Sequence, residues 1–358
     1  MTRTDIRLRD DEIALVLPQF GVGPVLFTRP SGGTANASIV IVARSCQYVL
    51  KRRNPRYCSP QQLAYDHYVL HAVRRAGLPV SQPVKTASGS RWLQHEGHIY
   101  ELYRFIEGSV EANPSIEQVA ASGTMLARFH QITDGLQPPG SKSLGRLWDP
   151  KKAVVMLAGL LERTRAGDIG SLQDVGVAET AAEAAGVLEY LLAQTAGVEE
   201  RLPDEAYWEL PQTIIHGDWH PANLKFDGVE VVGIFDFDWV DRQPRMVDIA
   251  DGMLYVCGVR PAVEGVGDIW SLTVTPRLEL ARMKAFMAAY AEVQPLTETE
   301  AAALADLMTV RWVYSRVDAA ERKVAEADQL RFVLREVGTP LQWLAEHRGV
   351  LAEAGWWS

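Results

Sequence analysis

Cysteine is scarce in this chain, with three in 358 residues: Cys46, Cys58 and Cys257. An odd, sparse set without metal-ligand spacing points to reduced thiols and a cytoplasmic setting. No apolar run approaches the roughly 20 residues needed to span a bilayer, which argues against a membrane partner. The N-terminal stretch MTRTDIRLRDDEIALVL is charged and lacks the cleavable apolar core of a signal peptide. Positive charge is also in short supply. Lys and Arg number 36 against 45 Asp and Glu, a net charge of −9, so nucleic acid is not an expected partner. An acidic balance is compatible with a cationic substrate but does not require one. Internal repeats and low-complexity tracts are missing too.

What remains is ordinary globular composition, 47% hydrophobic and 23% charged, in a chain long enough for two or three subdomains. Residues 1 to about 105 alternate β-like runs with turn signals. SIVIVA (38–43) and QYVLK (47–51) read as a hairpin pair, and further strands are predicted near 92–95 and 98–105. One helix interrupts them: Pro60 opens it, Leu63, His67, Leu70 and Val73 recur at helical spacing, and Gly77 closes it ahead of Pro79. A helical pattern follows over 115–129, and long Ala/Leu/Glu-rich helices are expected in 151–200 and 275–353. Between them lies a β-like stretch, 213–239, whose Asp227-Gly228 pair signals a hairpin. The expected organisation is α+β. A small β-rich N-lobe with one helix occupies 1–108, and a larger, mainly helical C-lobe with an embedded hairpin occupies 109–358.

The chemistry concentrates in IIHGDWHPANLKF (214–226) and GIFDFDWV (233–240). Asp218 and Asn223 lie five residues apart, and Asp236 follows thirteen after Asn223. On the hairpin reading, Asn223 and Asp236 meet at one end of a strand pair. Carboxylate and amide oxygens suit Mg²⁺, a hard cation that also prefers phosphate oxygens. Asp218, on the preceding loop, is placed to accept or orient the proton of an attacking hydroxyl. Phosphoryl transfer needs this division of labour between metal ligands and a nucleophile-positioning acid. A single such Asp would more often be a turn residue; the ordered set is harder to explain that way.

HGDWHPAN (216–223) followed by FDFDW (235–239) resembles the aminoglycoside phosphotransferase and choline kinase superfamily, a small-molecule branch of the protein-kinase-like fold. The resemblance implies a bilobal kinase-like fold with ATP bound between the lobes, GTP being an alternative. Asp218 would be the catalytic base, Asn223 and Asp236 the magnesium ligands, and His216 a structural brace of the catalytic loop. RPSGGTANASIVIV (29–42) resembles the nucleotide-binding loop, with Gly32 and Gly33 allowing close backbone approach to phosphate and Asn36 and Ser38 adding polar contacts. No Gly-Lys-Ser/Thr follows, so it is not a Walker loop.

Lys51 resembles the α/β-phosphate ligand, although strand alternation alone does not separate it from Arg52 and Arg53. The family pairs this lysine with a helical Glu. The helix after Pro60 has none, and Asp66 stands at about the right place with a shorter side chain. HIYELYRFIEGS (98–109) resembles the strand and hinge that receive adenine, through backbone groups around Tyr103 to Phe105. His130 and Asp248 read as structural residues, Asp248 as a cap and brace for the catalytic segment.

The acceptor is the quietest part of the sequence. A phosphotransferase acting on a hydroxyl of a small polar molecule is expected. Asp238, Asp241, Asp318 and Glu321 are candidate acids for a polyamine sugar. Trp239, Tyr255, Trp312 and Tyr314 are candidate rings for a quaternary ammonium. DLMTVRWVYSRV (306–317) loosely resembles bacterial homoserine kinases, where an amino-acid hydroxyl is phosphorylated. Two further readings stay open: a bacterial stress-response Ser/Thr kinase of the same fold, and a nucleotide-binding regulator without catalysis.

Overall fold

The computed structural model describes residues 8–31, 37–44, 46–140, 142, 144–168, 178–261 and 269–357. The N-terminal lobe is a five-stranded antiparallel sheet ordered β1-β2-β3-β5-β4. Its strands are β1 (Val25–Pro30), β2 (Ala37–Ala43), β3 (Gln47–Arg52), β4 (Leu93–His95) and β5 (His98–Arg104). Alternation along β3 decides which side chains meet which neighbours. Leu50 joins a compact core with Ile41, Tyr100 and Leu102. Arg52, two residues on, pairs at 2.6 Å with Glu12 of a short helix, α1 (Asp10–Val16), that covers this face. Lys51 therefore points to the opposite face, the one turned toward the other lobe. The helix α1 adds to the single helix expected; at seven residues it is too short to announce itself by periodicity.

That expected helix is α2 (Pro60–Arg75). Ser59 and Gln62 form a reciprocal capping box, with Pro60 in the first turn. Gly77 at φ +91° ends the run by taking a left-handed conformation. Leu63, Val69, Leu70 and Val73 bury one face, as their three- and four-residue spacing requires.

The C-terminal lobe contains α3 (Ile116–Thr133), α4 (Pro150–Arg165), α5 (Ala181–Arg201) and α6 (Asp204–Glu209). It continues with the strands β6 (Gln212–Ile215), β7 (Leu224–Asp227), β8 (Glu230–Ile234) and β9 (Asp241–Pro244). The helices α7 (Met246–Asp251), α8 (Leu280–Ala291), α9 (Glu298–Lys323), α10 (Gln329–Leu334) and α11 (Gly338–Ala352) complete it. The helical block 151–200 is thus two helices, α4 and α5.

The β7–β8 hairpin forms where Asp227-Gly228 predicts it. Asp227 pairs with Glu230, so the loop itself is Gly228-Val229, with Gly228 at φ +55° in its first position. Ser109 and Phe226 exchange two backbone hydrogen bonds of 2.9 Å, tying the end of the interlobe connection to the hairpin. Closeness there is steep: a Cβ on Gly108 would lie 2.9 Å from the Phe226 carbonyl oxygen. α9 runs 26 residues beneath the site from a Thr297–Glu300 capping box, burying Leu304, Met308 and Trp312 on one side.

Candidate active site

The site is built on the turn after β6. β6 pairs with β9 from Gln212↔Pro244 to Ile215↔Asp241, which brings the start of α7 behind the turn. Asp248, in the first turn of α7, accepts hydrogen bonds from the backbone N–H of His216 (2.6 Å) and Gly217 (2.7 Å). His130 Nε2 meets the same carboxylate at 3.0 Å, and the other ring nitrogen meets the Tyr290 hydroxyl at 2.8 Å. Asp248 therefore braces the catalytic turn and does not cap its own helix, because its oxygens are committed to the neighbouring strand.

The imidazole of His216 donates from Nε2 to the Phe235 carbonyl at 2.8 Å and links the turn to the end of β8. Gly217, at φ +79°, passes so close to Trp239 that a Cβ would sit 2.5 Å from its carbonyl oxygen. Only glycine fits there. These contacts hold the backbone on either side of Asp218 before any ligand arrives.

Asp218 keeps 23% of its side chain exposed. Its Oδ2 lies 3.2 Å from His220 Nε2 and accepts from Asn223 Nδ2 at 3.0 Å, while Oδ1 is 3.7 Å from the guanidinium of Arg311. Desolvation alone would raise its pKa, but His220, Arg311 and His216 hold the carboxyl well below the ordinary range. It is an anion at any physiological pH. Asn223 closes a short helical turn and donates from the amide nitrogen to both the carbonyl and the side chain of Asp218, reserving its amide oxygen.

Asp236 follows β8 with φ +62°, a left-handed conformation unusual for a non-glycine residue. The preceding Phe235 N–H bonds the Asn223 carbonyl at 3.0 Å, so Asn223 and Asp236 are brought to the same end of the hairpin, as expected. Among the described residues no three His, Cys, Asp or Glu side chains form a self-contained metal cage. One amide oxygen and one carboxylate fit Mg²⁺, which takes few protein ligands and completes its shell with phosphate and water.

Lys51 lies between Ser38 of β2 and Glu101 of β5 in the sheet register. Its ammonium donates to Asp236 at 2.9 Å and to Asp238 at 2.7 Å. Desolvation opposes the charge, yet the two carboxylates raise its pKa overall. Asp66, at the place of the family's helical Glu, does not pair with Lys51, which Asp236 and Asp238 orient instead. Asp66 bonds Arg53 at 2.5 Å and Lys142 at 2.6 Å. Arg53, just past the end of β3, carries a longer, forked side chain than Lys51; it also reaches Asp238 at 3.0 Å and Glu101 at 3.4 Å. Burial pushes the Asp66 carboxyl up to about 6 in spite of both cations.

Gly32, Gly33 and Asn36 of the glycine turn lie outside the described residues. Ser38 accepts from the Ser31 hydroxyl at 2.7 Å. At the hinge, Tyr103 pairs with Val49 in the sheet, and the N–H of Phe105 is spent on the Gln47 carbonyl at 3.0 Å. The Phe105 N–H is thus not open to adenine, and the Phe105 ring carries Lys225 Nζ at 3.7 Å and Arg29 at 5.0 Å from the centroid.

Of the candidate acceptor residues, Asp238 is consumed by Lys51 and Arg53, and Asp241 accepts from Leu144 N–H at 3.3 Å and from Gln243. Trp312 is buried with its N–H on the Val337 carbonyl, and Trp239 packs on Tyr57 with centroids 4.9 Å apart. Asp318, Glu321 and Tyr314 line a shallow cavity with Lys151 and Lys152.

Among the described residues, the side chains that approach the Asp218 carboxylate are the cation Arg311, His220 and Asn223. Arg311 of α9 donates to Asp251 at 2.5 Å and lies 4.5 Å from the Trp148 ring and 4.9 Å from that of Tyr255. Sequence reasoning missed Arg311 and Lys142, and weighed Arg53 only as an alternative to Lys51. Arg311 has a faint signal, since it shares a helical face with Tyr314, Ser315, Asp318 and Arg322; Lys142, in a loop, has none.

A small antiparallel-sheet lobe over a helical lobe, with a braced acid, a hairpin and a sheet lysine at their junction, defines a kinase-like phosphotransferase. The model of the phosphotransferase enzyme family matches residues 27–296, and the chain belongs to that family. A homoserine kinase of Polaromonas naphthalenivorans (strain CJ2) is 27% identical over 338 residues, covering 91% of this chain and 95% of the relative. Among solved structures, a microcompartment-associated aminopropanol kinase superposes with a TM-score of 0.61 at 17% identity, covering 96% of each chain. A spectinomycin phosphotransferase in complex with ADP and spectinomycin gives 0.58 at 13% identity, over 93% of this chain and 98% of that one. The chain is accordingly an enzyme of the small-molecule kinase class. No helix among the described residues is long and apolar enough to cross a membrane.

Proposed function

We propose that this protein transfers the γ-phosphoryl group of ATP to the hydroxyl of a compact amino alcohol or hydroxy amino acid, with homoserine the leading candidate. The observation that carries this choice is the surround of Asp218. Arg311 and His220 approach its carboxylate, and two of the four candidate acids for a polyamine sugar, Asp238 and Asp241, are tied up in Lys51, Arg53 and backbone contacts. The similarity to a homoserine kinase over nearly the full chain supports the same reading.

In this reading the acceptor hydroxyl hydrogen-bonds to Asp218. The hydroxyl oxygen forms a bond to the γ-phosphorus, the bond from that phosphorus to the β–γ bridging oxygen breaks, ADP departs and the hydroxyl proton passes to Asp218. A strongly depressed pKa makes Asp218 a poor base toward a free alcohol, so its chief work is orientation, with the proton moving late. Asn223 and Asp236 would hold Mg²⁺, which neutralises phosphate charge when bound. Lys51 turns its ammonium to the phosphates, and the N-lobe and C-lobe (1–108 and 109–358) enclose the nucleotide between them.

The test is a phosphorylation screen with Mg²⁺-ATP and L-homoserine, aminopropanol, spectinomycin and a generic protein substrate, run on the wild type and Asp218→Ala. Transfer to the compact acceptors, abolished in the variant while ATP affinity stays within a few-fold, is the expected result. Equal loss of nucleotide binding in the variant, or phosphorylation of the protein substrate alone, would refute it.

A further inference from the structure

Among the described residues, one cation near this site, Arg260, has no counter-ion. Arg260 is fixed through its backbone: its N–H donates to Asn113 Oδ1 at 2.7 Å and its carbonyl accepts from Asn113 Nδ2 at 2.9 Å. Its guanidinium lies 5.0 Å from the centroid of the Tyr255 ring, the same ring that Arg311 approaches at 4.9 Å. The two arginines differ in what else they hold. Arg311 bonds Asp251, leans on Trp148 and comes within 3.7 Å of Asp218. Among the described residues Arg260 makes no ion pair, and its Nε is buried without a hydrogen-bond partner.

Shielding a guanidinium from water without an anion is unfavourable, and burial accordingly lowers the Arg260 pKa. Its charge also reaches the reacting centre. It acts against protonation of His220, whose ring is 3.2 Å from Asp218. An arginine anchored at its backbone, which shares the Tyr255 ring with the Arg311 that reaches Asp218, is a planar fork awaiting a planar anion.

Resting on the kinase reading above, we propose that Arg260 reads a carboxylate on the acceptor. The substrate is then a hydroxy amino acid, not a neutral or polycationic alcohol, and Arg260 is the residue that makes this distinction. The nucleotide is a poorer occupant because its phosphates belong with Lys51 and Asp236, on the hairpin side of Asp218. A charge-assisted, two-pronged contact of this kind is worth roughly 10- to 100-fold in binding.

The experiment compares L-homoserine with 3-amino-1-propanol, which is the same chain with the carboxylate removed. Steady-state kinetics and titration calorimetry are run on the wild type, Arg260→Gln and Arg260→Lys. The wild type should prefer L-homoserine, and R260Q should raise its KM for L-homoserine about 100-fold with little change in kcat. The effect on 3-amino-1-propanol should be much smaller, R260K should recover part of the loss, and the KM for ATP should stay constant. An equal loss on both acceptors, or a raised KM for ATP, would assign Arg260 to the phosphates or to folding and overturn the inference. Wild-type turnover of 3-amino-1-propanol with none of L-homoserine would also overturn it while leaving the kinase reading intact. Transfer to no hydroxyl acceptor, together with no calorimetric binding of L-homoserine, would overturn both.

Discussion

Lys51 donates to Asp236 at 2.9 Å across 185 residues of sequence. That contact, with a second to Asp238 at 2.7 Å, closes the sheet lobe onto the end of the hairpin. The same carboxylate is the candidate metal ligand, so the ammonium and the cation of a metal nucleotide draw on one group. Arg53 supports the arrangement by sharing Asp238, which is only 3% exposed.

The two acids should respond differently to mutation. Asp236→Ala should weaken binding of the metal nucleotide and blunt the magnesium dependence of turnover; an unchanged magnesium titration would remove Asp236 from the ligand set. Asp238→Asn should act mainly on stability, because Lys51 and Arg53 would be left buried with less counter-charge. Breaking such a pair typically costs about 3–5 kcal/mol. Urea denaturation reads this directly, and a loss under about 1 kcal/mol would contradict it.

A second prediction concerns pH. Desolvation works against the charge of His220, but Asp218 and Asp251 outweigh it and raise its pKa above the usual 6.5. Below that pKa the imidazolium pairs with Asp218 Oδ2 beside Asn223; above it, the neutral ring competes less with the acceptor hydroxyl for the carboxylate. Activity should therefore rise with pH through a value above 6.5, and His220→Asn should flatten this limb. Superimposable pH–rate profiles for the two proteins would sink the idea.

Acid stability follows from Glu101. Burial would raise its pKa, but Arg53, the His67 ring at 2.5 Å and Lys51 bring it down to about 2 from the usual 4.5. The folded value is the lower one, so the stabilisation is fully present above pH about 4.5 and is lost as pH falls toward 2. Between pH 6 and pH 3 the stability gap between the wild type and Glu101→Gln should shrink by roughly 2 kcal/mol. A constant gap over that range would show that Glu101 is not held as an anion by its neighbours.

Several parts of the molecule were legible from neighbouring residues alone. Ser59, Pro60 and Gln62 start α2 because their side chains satisfy its free N–H groups within four residues. Asp227-Gly228 turns the β7–β8 hairpin, and that short hairpin suffices to bring Asn223 beside Asp236. Tertiary structure alone decided the long-range pairings. Lys51 takes Asp236 and Asp238, Asp66 takes Arg53 and Lys142, and Arg311 reaches Asp218 while sharing the Tyr255 ring with Arg260. The physical reason is range. Turns and caps are settled by bonds between residues a few positions apart, whereas a buried charge takes the partner that packing of distant faces delivers, and no local pattern records which one that is.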